Sequence, residues 1–382
     1  MLESCARASW ARTTIRCTSW RKVFITEEGV FMDDKMTRRN FLKGGAMALG
    51  AVAAYEFASL GEASAAAGAK ADENASGDAA KDKAKVYFTK DISVAGLLKV
   101  YAKVNQGISG KVGIKLHTGE PHGPNLLPIS LIKGLQAKVP NSTIVECNVL
   151  YPSPRQHTKT HLETIKTNGF DFCPVDIMDA DGDVMLPIPG MKEFFDKWLS
   201  PALKDRPYTP GVHLTEIAVG KHLLNYDSLL VYTHFKGHTS GGFGGSLKNI
   251  GIGVASGQVG KRQIHGEGWS KGPRFLERMV ESGKGIAAHF GQRITYINVM
   301  KNLSVDCDCD AHGQPPSMPD IGIVASTDIL AVDKACVDLV YAQPGSQKRA
   351  LVERIESRSG LRQLEYMKTL GMGNDQFELI TV

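Results

Sequence analysis

From Val86 onward, short apolar runs alternate with amphipathic helical periods, and no other feature limits the fold as strongly. Residues 86–88, 111–116, 143–147, 228–232, 293–299 and 321–325 read as strands. Residues 94–104, 131–137, 160–168, 275–289, 331–340 and 361–367 read as helices. A strand-then-helix rhythm predicts an α/β fold, a mostly parallel or mixed sheet with covering helices. The length allows one large domain or two intimate lobes. Residues 175–179 and 184–188 are expected to pair as a hairpin across Asp181-Gly182, ahead of a helix over residues 191–198. Ligands of open α/β sheets gather at the carboxyl ends of strands. His117, Glu120, His122 and Asn148 all follow strands. The first three read as metal ligands, as acid/base residues, or as a polar surface loop.

A segment of another kind precedes the alternation. Thr37-Arg38-Arg39-Asn40-Phe41-Leu42-Lys43 leads into a weakly apolar, small-residue stretch to about Leu60, then Ala63-Ser64-Ala65. Basic, apolar, small is the order of an export signal, and the paired arginines make it the twin-arginine type. Residues 36–66 are therefore expected to be a signal peptide. The twin-arginine export machinery would be a partner, and the folded protein would reach the periplasm or cell envelope. A spanning helix needs about 20 strongly apolar residues. This stretch is rich in Gly and Ala and carries Glu56, so no stable membrane span is expected after processing. Residues 1–35 read as an extension from an early start codon or as a long n-region. Residues 67–84 are small and polar and read as a disordered tether. The structured domain is then 85–375. The formal charge of +5 is spread with mixed signs, which describes a solvated surface and no nucleic-acid stripe.

Seven cysteines stand at 5, 17, 147, 173, 307, 309 and 336. Five lie beyond the signal, and an odd number argues against a disulfide framework. Cys147 on a strand and Cys336 on a helix read as buried small hydrophobes, while Cys173 at a turn has an open role. The sharpest local feature is Asp306-Cys307-Asp308-Cys309-Asp310 with His312. Two thiols one residue apart can hold one soft metal if the chain turns there, and thiolates suit zinc, iron-sulfur or copper. Asp306 and Asp308 add oxygen donors. A strained Cys-x-Cys disulfide and a solvated acidic loop with reduced thiols are the alternatives.

His234-Phe235-Lys236-Gly237-His238 ends the strand at 228–232 and runs into Thr239-Ser240-Gly241-Gly242-Phe243-Gly244-Gly245-Ser246. A loop here would offer His234, Lys236 and His238 to a cleft as catalytic groups. A helix is expected over 246–255. Strand, glycine loop and helix together present backbone N–H groups to an anion, so Gly244 and Gly245 are candidate cofactor-binding positions. Lys248 and Asn249 would meet an anion or a carbonyl, or else be a solvated lysine and a helix cap. His265 is a further metal candidate, and Asp328 either caps a helix or faces a ligand. The glycine loop matches neither the nucleotide-binding loop nor the dinucleotide fingerprint. No Gly-x-Ser-x-Gly or His-Glu-x-x-His occurs, so neither a standard serine hydrolase nor a zinc peptidase is supported by motif.

These residues carry a resemblance. His234-Phe235-Lys236-Gly237-His238, Gly244-Gly245-Ser246-Leu247-Lys248-Asn249-Ile250-Gly251, Asp306-Cys307-Asp308-Cys309 and Asp320-Ile321-Gly322-Ile323-Val324-Ala325-Ser326-Thr327-Asp328 stand in this order, closed by Ala331-Val332-Asp333-Lys334-Ala335. In order and spacing the chain resembles the bacterial and archaeal proteins of domain of unknown function 362 (DUF362), over roughly 85–375. That family has no settled activity. Many members are described as iron-sulfur centre proteins, with a ferredoxin-like insert of Cys-x-x-Cys spacing after the Lys-Asn-Ile-Gly helix. Here residues 251–299 contain no cysteine, and a [4Fe-4S] module needs four thiolates. A metal ion (zinc or iron) or a non-standard iron-sulfur centre at the Asp-Cys-Asp-Cys loop is what remains.

Three functions follow as expectations. The first is a periplasmic metal- or cluster-associated redox protein with a redox partner. The second is a non-redox enzyme, isomerase or hydrolase in type, acting on a small anionic ligand with His234 or His238 as base. The third is a non-catalytic solute-binding or scaffold protein. The second reading expects His234, Lys236, His238 and Lys248 around one pocket.

Overall fold

The computed structural model describes residues 24–26, 29–31, 83–193, 213–266, 268–269 and 271–382. The export signal, most of the tether and most of the helix expected over 191–198 lie outside them. The chain divides into two units, Met1–Ala79 and Ala80–Val382. Of the first, the described part is an antiparallel pair, β1 (Phe24–Thr26) and β2 (Gly29–Phe31).

In the second unit the chain runs β3 (Ala84–Thr89), α1 (Val94–Tyr101), β4 (Val112–Lys115), α2 (Ile129–Gln136), β5 (Ser142–Glu146), α3 (Thr158–Thr167) and β6 (Val175–Ile177). It continues through β7 (Asp183–Pro187), β8 (Glu216–Gly220), β9 (Ser228–His234), β10 (Lys236–His238), β11 (Gly242–Gly244), α4 (Ser246–Gly251) and α5 (Gly260–His265). Then follow α6 (Pro273–Phe290), β12 (Ile294–Met300), β13 (Gly322–Ser326), α7 (Ile329–Tyr341), α8 (Gly345–Ser357), α9 (Arg362–Thr369) and β14 (Phe377–Thr381).

One eight-stranded sheet, in the order β14-β3-β13-β12-β9-β4-β5-β6, organises this unit. Only β13 runs against the others. The α/β expectation holds, as one sheet and not two lobes. β9 is buried at all seven positions, as a continuous apolar run must be when helices cover both faces. Its alternate residues feed two cores. Leu229 and Val231 join residues of α4, α6, α7, α8 and α9, while Leu230 and Tyr232 join residues of α1, α2 and α3. Helix starts follow local chemistry. Ser93 accepts the Gly96 N–H to open α1, and Asp328 accepts the Ala331 N–H at 2.8 Å to open α7, where a side-chain oxygen answers an orphan donor. Asp328 is thus a cap, and Cys147 and Cys336 are buried as expected.

Three expectations change. The hairpin across Asp181-Gly182 does not form: β6 extends the large sheet beside β5, and β7 pairs with β8. Burial separates the two runs, because Ile177 packs into one core and Leu186 into the other. The segment after β9 is not a loop but a tight β10–β11 hairpin. The sheet also continues past residue 375, with β14 paired to β3 at five positions.

β12, β9, β4 and β5 are neighbours and parallel. Their carboxyl ends therefore open on one edge of the sheet, where the loops carrying Cys307, His238, His117 and Asn148 converge.

Candidate functional site

A cleft of about 260 Å³ lies at this edge. Its floor is an ion-pair network. Lys115 Nζ donates to Glu146 Oε2 and to Asn249 Oδ1, each at 3.1 Å, and to the Leu116 carbonyl at 2.6 Å. Glu146 also accepts the Thr118 N–H and hydroxyl. Burial pushes the Glu146 carboxyl up, but Lys115 and Arg155 outweigh it and hold it at about 2. Arg155 donates to Glu120 at 3.2 Å, and Tyr151 and Ser153 donate to the same carboxylate. Lys261, only 5% exposed, donates to the Ala255 carbonyl at 2.6 Å and makes no salt bridge among the described residues. Burial lowers its pKa, offset only in part by the nearby Cys147, Asp179 and Glu146, so an anion entering the cleft would favour its charged form.

The thiols form one wall. Asp310 N–H donates to the Cys307 carbonyl at 2.8 Å, closing a turn over 307–310. That turn sets Cys307 and Cys309 side by side. With His238 they place one donor atom each within 4.8 Å of one another, and this group could hold a metal ion. Lys248 Nζ donates to Cys307 Sγ at 3.3 Å. A hydrogen bond from Cys309, then Lys248 and Lys236, holds the Cys307 thiol well below its usual range. Cys309 is correspondingly pushed up by that hydrogen bond and by burial.

His238 is wired unlike a resting metal ligand. Its Nδ1 accepts the Gly241 N–H at 2.8 Å and the Ser240 N–H at 3.3 Å, which leaves the proton on Nε2. Burial and the neighbouring cations, Lys248 foremost, lower its pKa well below normal, so the ring is neutral. Ligating histidines usually donate their second nitrogen to an acceptor. Metal uptake at His238 therefore requires loss of the Nε2 proton or a turn of the ring. His117 repeats the wiring: its Nδ1 accepts the Gly119 N–H at 3.0 Å. Burial, then Arg155, keeps it neutral too. Neither ring is set up as a base. His238 presents an N–H, whereas the Nε2 of His117 faces Arg155 Nη1 at 3.5 Å.

Of the residues singled out in the sequence, His117, His238, Lys248, Asn249, His265 and Cys309 line the cleft, with Cys307 just behind. His265 stacks on Trp269 at 4.2 Å and Phe275 at 4.9 Å and stands outside the three-donor group. Asn249 is no cap. Its Nδ2 donates to the Tyr232 carbonyl and the Thr233 hydroxyl, pinning α4 to β9.

The other candidates are committed elsewhere. His234 Nδ1 faces both Asp308 oxygens at 3.0 Å, its Nε2 faces the Lys301 carbonyl, and Lys236 donates to Asp308 at 2.6 Å. His234 and Lys236 are thus committed to Asp308 and none of the three reaches the cleft, so of the four residues expected around one pocket only His238 and Lys248 line it. Asp306 accepts from Arg354 at 2.9 Å and from the Gln314 N–H at 3.0 Å, which takes it out of the donor set. His122 is exposed, and Asn148 bonds Thr158 and His161. The anion expected at Gly244 and Gly245 is internal. Asp333 accepts the Ser246 and Leu247 N–H groups at 2.7 and 2.9 Å. A Cβ on Gly245 would meet that carboxylate at 2.5 Å, so the glycine serves the packing of α4. Four charged cleft residues were not singled out: Lys115, Glu146, Arg155 and Lys261. Lys115 and Glu146 had a visible sign, a charge closing an otherwise apolar strand. Arg155 and Lys261 had none.

The fold and site define an α/β protein with a cationic, thiol-walled cleft at the carboxyl ends of parallel strands. The family model for a domain of unknown function (DUF362) matches residues 112–338, more than half of the chain, and the chain belongs to that family. No functionally curated protein matches its sequence. Among solved structures, the lactate racemase apoprotein from Thermoanaerobacterium thermosaccharolyticum is similar at 12% identity and a TM-score of 0.37, over 66% of this chain and 56% of that one. A Thermotoga maritima structural-genomics target is similar at 13% identity and 0.36, over 69% and 58%. The chain thus spans little more than half the length of either, and neither likeness bears on activity.

Proposed function

We propose that this protein is an exported enzyme that draws a small anionic substrate into the cleft and acts on it beside one soft metal ion held by Cys307, Cys309 and His238. The observation that carries the reading is the convergence of these donors within 4.8 Å on the wall of a cleft lined by buried cations. Two thiols and an imidazole suit zinc or iron and leave a fourth position for substrate or water. Residues 251–299 supply no cysteine, which favours a single ion over a four-thiolate cluster. A bound ion would supply Lewis-acid polarisation of a substrate oxygen.

The chain's own residues do the rest. The anion would favour the charged form of Lys261, and Lys248 adds a cation beside the thiols. His117 lines the cleft as a neutral ring, its Nδ1 held by the Gly119 N–H and its Nε2 beside Arg155. Lys115 stays paired to Glu146 and shapes the floor. His265 and Trp269 form a flat wall for the substrate's less polar part. A cleft of small-molecule size favours this reading over electron transfer to a protein partner.

Cobalt(II) added to the metal-free protein tests it. Wild type should develop thiolate-to-cobalt absorption that is lost in the Cys307→Ser, Cys309→Ser variant. Small carboxylates or phosphate should perturb those bands in wild type and much less in Lys261→Met. A cobalt spectrum without thiolate bands sinks the metal half, and bands indifferent to every anion sink the substrate half.

A further inference from the structure

We propose that Cys309 and Cys307 also form an exchange-active dithiol, reached by small disulfides through the cleft, with Cys309 as the entry thiol and Cys307 as the resolving thiol. The inference concerns the same two thiols as the metal reading but does not depend on an ion being bound.

The geometry separates the two roles. Cys309 is half-buried and lines the cleft, whereas Cys307 is 3% exposed and sits behind it. The turn over 307–310 keeps the sulfurs within 4.8 Å, and the Cys309 N–H points at Cys307 Sγ at 3.5 Å. The loop is fixed on both sides. Asp306 is tied to Arg354, Asp308 to Lys236 and His234, and the Gly237 N–H donates to the Ser304 carbonyl at 2.8 Å. A fixed loop gives the second thiol a high effective concentration toward the first. Lys248 Nζ, 3.3 Å from Cys307 Sγ, fixes that sulfur behind Cys309. Cys147, also on the cleft, is engaged with the Val254 carbonyl at 3.3 Å.

The reaction balances with a disulfide as oxidant. Cys309 passes its proton to the adjacent Cys307 sulfur and attacks one sulfur of the probe disulfide, forming a mixed disulfide and expelling one thiolate. Cys307 sulfur then attacks Cys309 Sγ, forming the internal disulfide and expelling the second thiolate. The one proton leaves with the expelled pair, as one thiol and one thiolate, so the protein is oxidised by two electrons and the probe reduced by two. A bridge across a single residue is strained and therefore easily reduced again. Its formation also removes both thiolates from any bound metal.

Oxidised glutathione is the probe, applied to the full chain after metal removal by a chelator, with a metal-loaded sample alongside. The tryptic peptide spanning residues 302–334 carries Cys307 and Cys309 and no other cysteine. In wild type it should become lighter by two hydrogens and refuse alkylation, and dithiothreitol should restore it. Cys307→Ser should trap glutathione on Cys309, while Cys309→Ser should leave Cys307 unmodified. Persistent alkylation of both wild-type thiols overturns the proposal, as does a bridge from Cys309 to Cys147. Glutathione taken up on Cys307 in Cys309→Ser as readily as on Cys309 in Cys307→Ser overturns the assignment of roles. The metal reading stands or falls separately, on the cobalt spectrum.

Discussion

Lys115 and Glu146 sit 3.1 Å apart at the floor of the cleft, exposed by 1% and 2%. Removing one partner of a buried pair strands the other charge, at a cost of about 3–5 kcal/mol. Glu146→Gln should therefore destabilise the fold by roughly that amount in urea denaturation. The pH dependence has a definite sign. The Glu146 carboxyl falls from 4.5 unfolded to about 2 folded. Its contribution is full above the unfolded value and is lost as pH falls through the folded one. Wild type should shed this stability between pH 4.5 and 2, and Glu146→Gln should show a flatter profile there. An unchanged profile would refute the ion-pair account. At this scale the sequence was half legible. His117, His238, Lys248, Asn249, His265, Cys307 and Cys309 stood out by type and place. His234 and Lys236 stood out for the same reason, yet they serve Asp308, because spacing along a strand does not reveal which charge a distant loop will bring.

At the scale of elements, α4 positions Lys248 and Asn249, and Asp333 holds its start. Asp333 is fully buried; burial pushes its carboxyl up to about 6 even though the Leu247 and Ser246 N–H groups and Asn298 favour the charge. Gly245→Ala would drive a methyl into that carboxylate. Overpacking of this kind costs about 1–3 kcal/mol, and the variant should melt earlier and take up cobalt(II) more weakly than wild type. A variant with wild-type melting and cobalt affinity would contradict the role given to Asp333. The glycine loop was read from the sequence as an anion cradle, and an anion is there, but it comes from α7, 87 residues beyond Ser246. The long periodic elements, β9, α6 and β12, were legible. α8 was not, since only Leu351 and Ile355 of its thirteen residues are buried.

For the whole molecule, the first and last strands of the sheet unit are neighbours. β14 pairs in parallel with β3 over Phe377 to Thr381, so the last residues complete an edge. Truncation after residue 375 should uncover β3, lower the melting temperature and promote self-association in sedimentation velocity. A monomer of unchanged stability would show that edge to be dispensable. Export is a claim at the same scale. Arg38→Lys with Arg39→Lys should keep the protein in the cytoplasm on cell fractionation, and equal recovery outside it would refute twin-arginine transport. Among the described residues no helix is long and apolar enough to cross a membrane. The α/β class was readable from the alternation alone. The pairing of β7 with β8 was not, because two runs with similar patterns are told apart only by which core each one enters.

The central claim is that the thiol wall holds a metal. Elemental analysis of anaerobically purified protein, wild type beside the Cys307→Ser, Cys309→Ser variant, addresses it most directly. The account predicts about one zinc or iron per wild-type chain and its loss from a variant that still folds. Wild-type protein without stoichiometric metal, its Cys307 and Cys309 freely alkylated in the folded state, would contradict it.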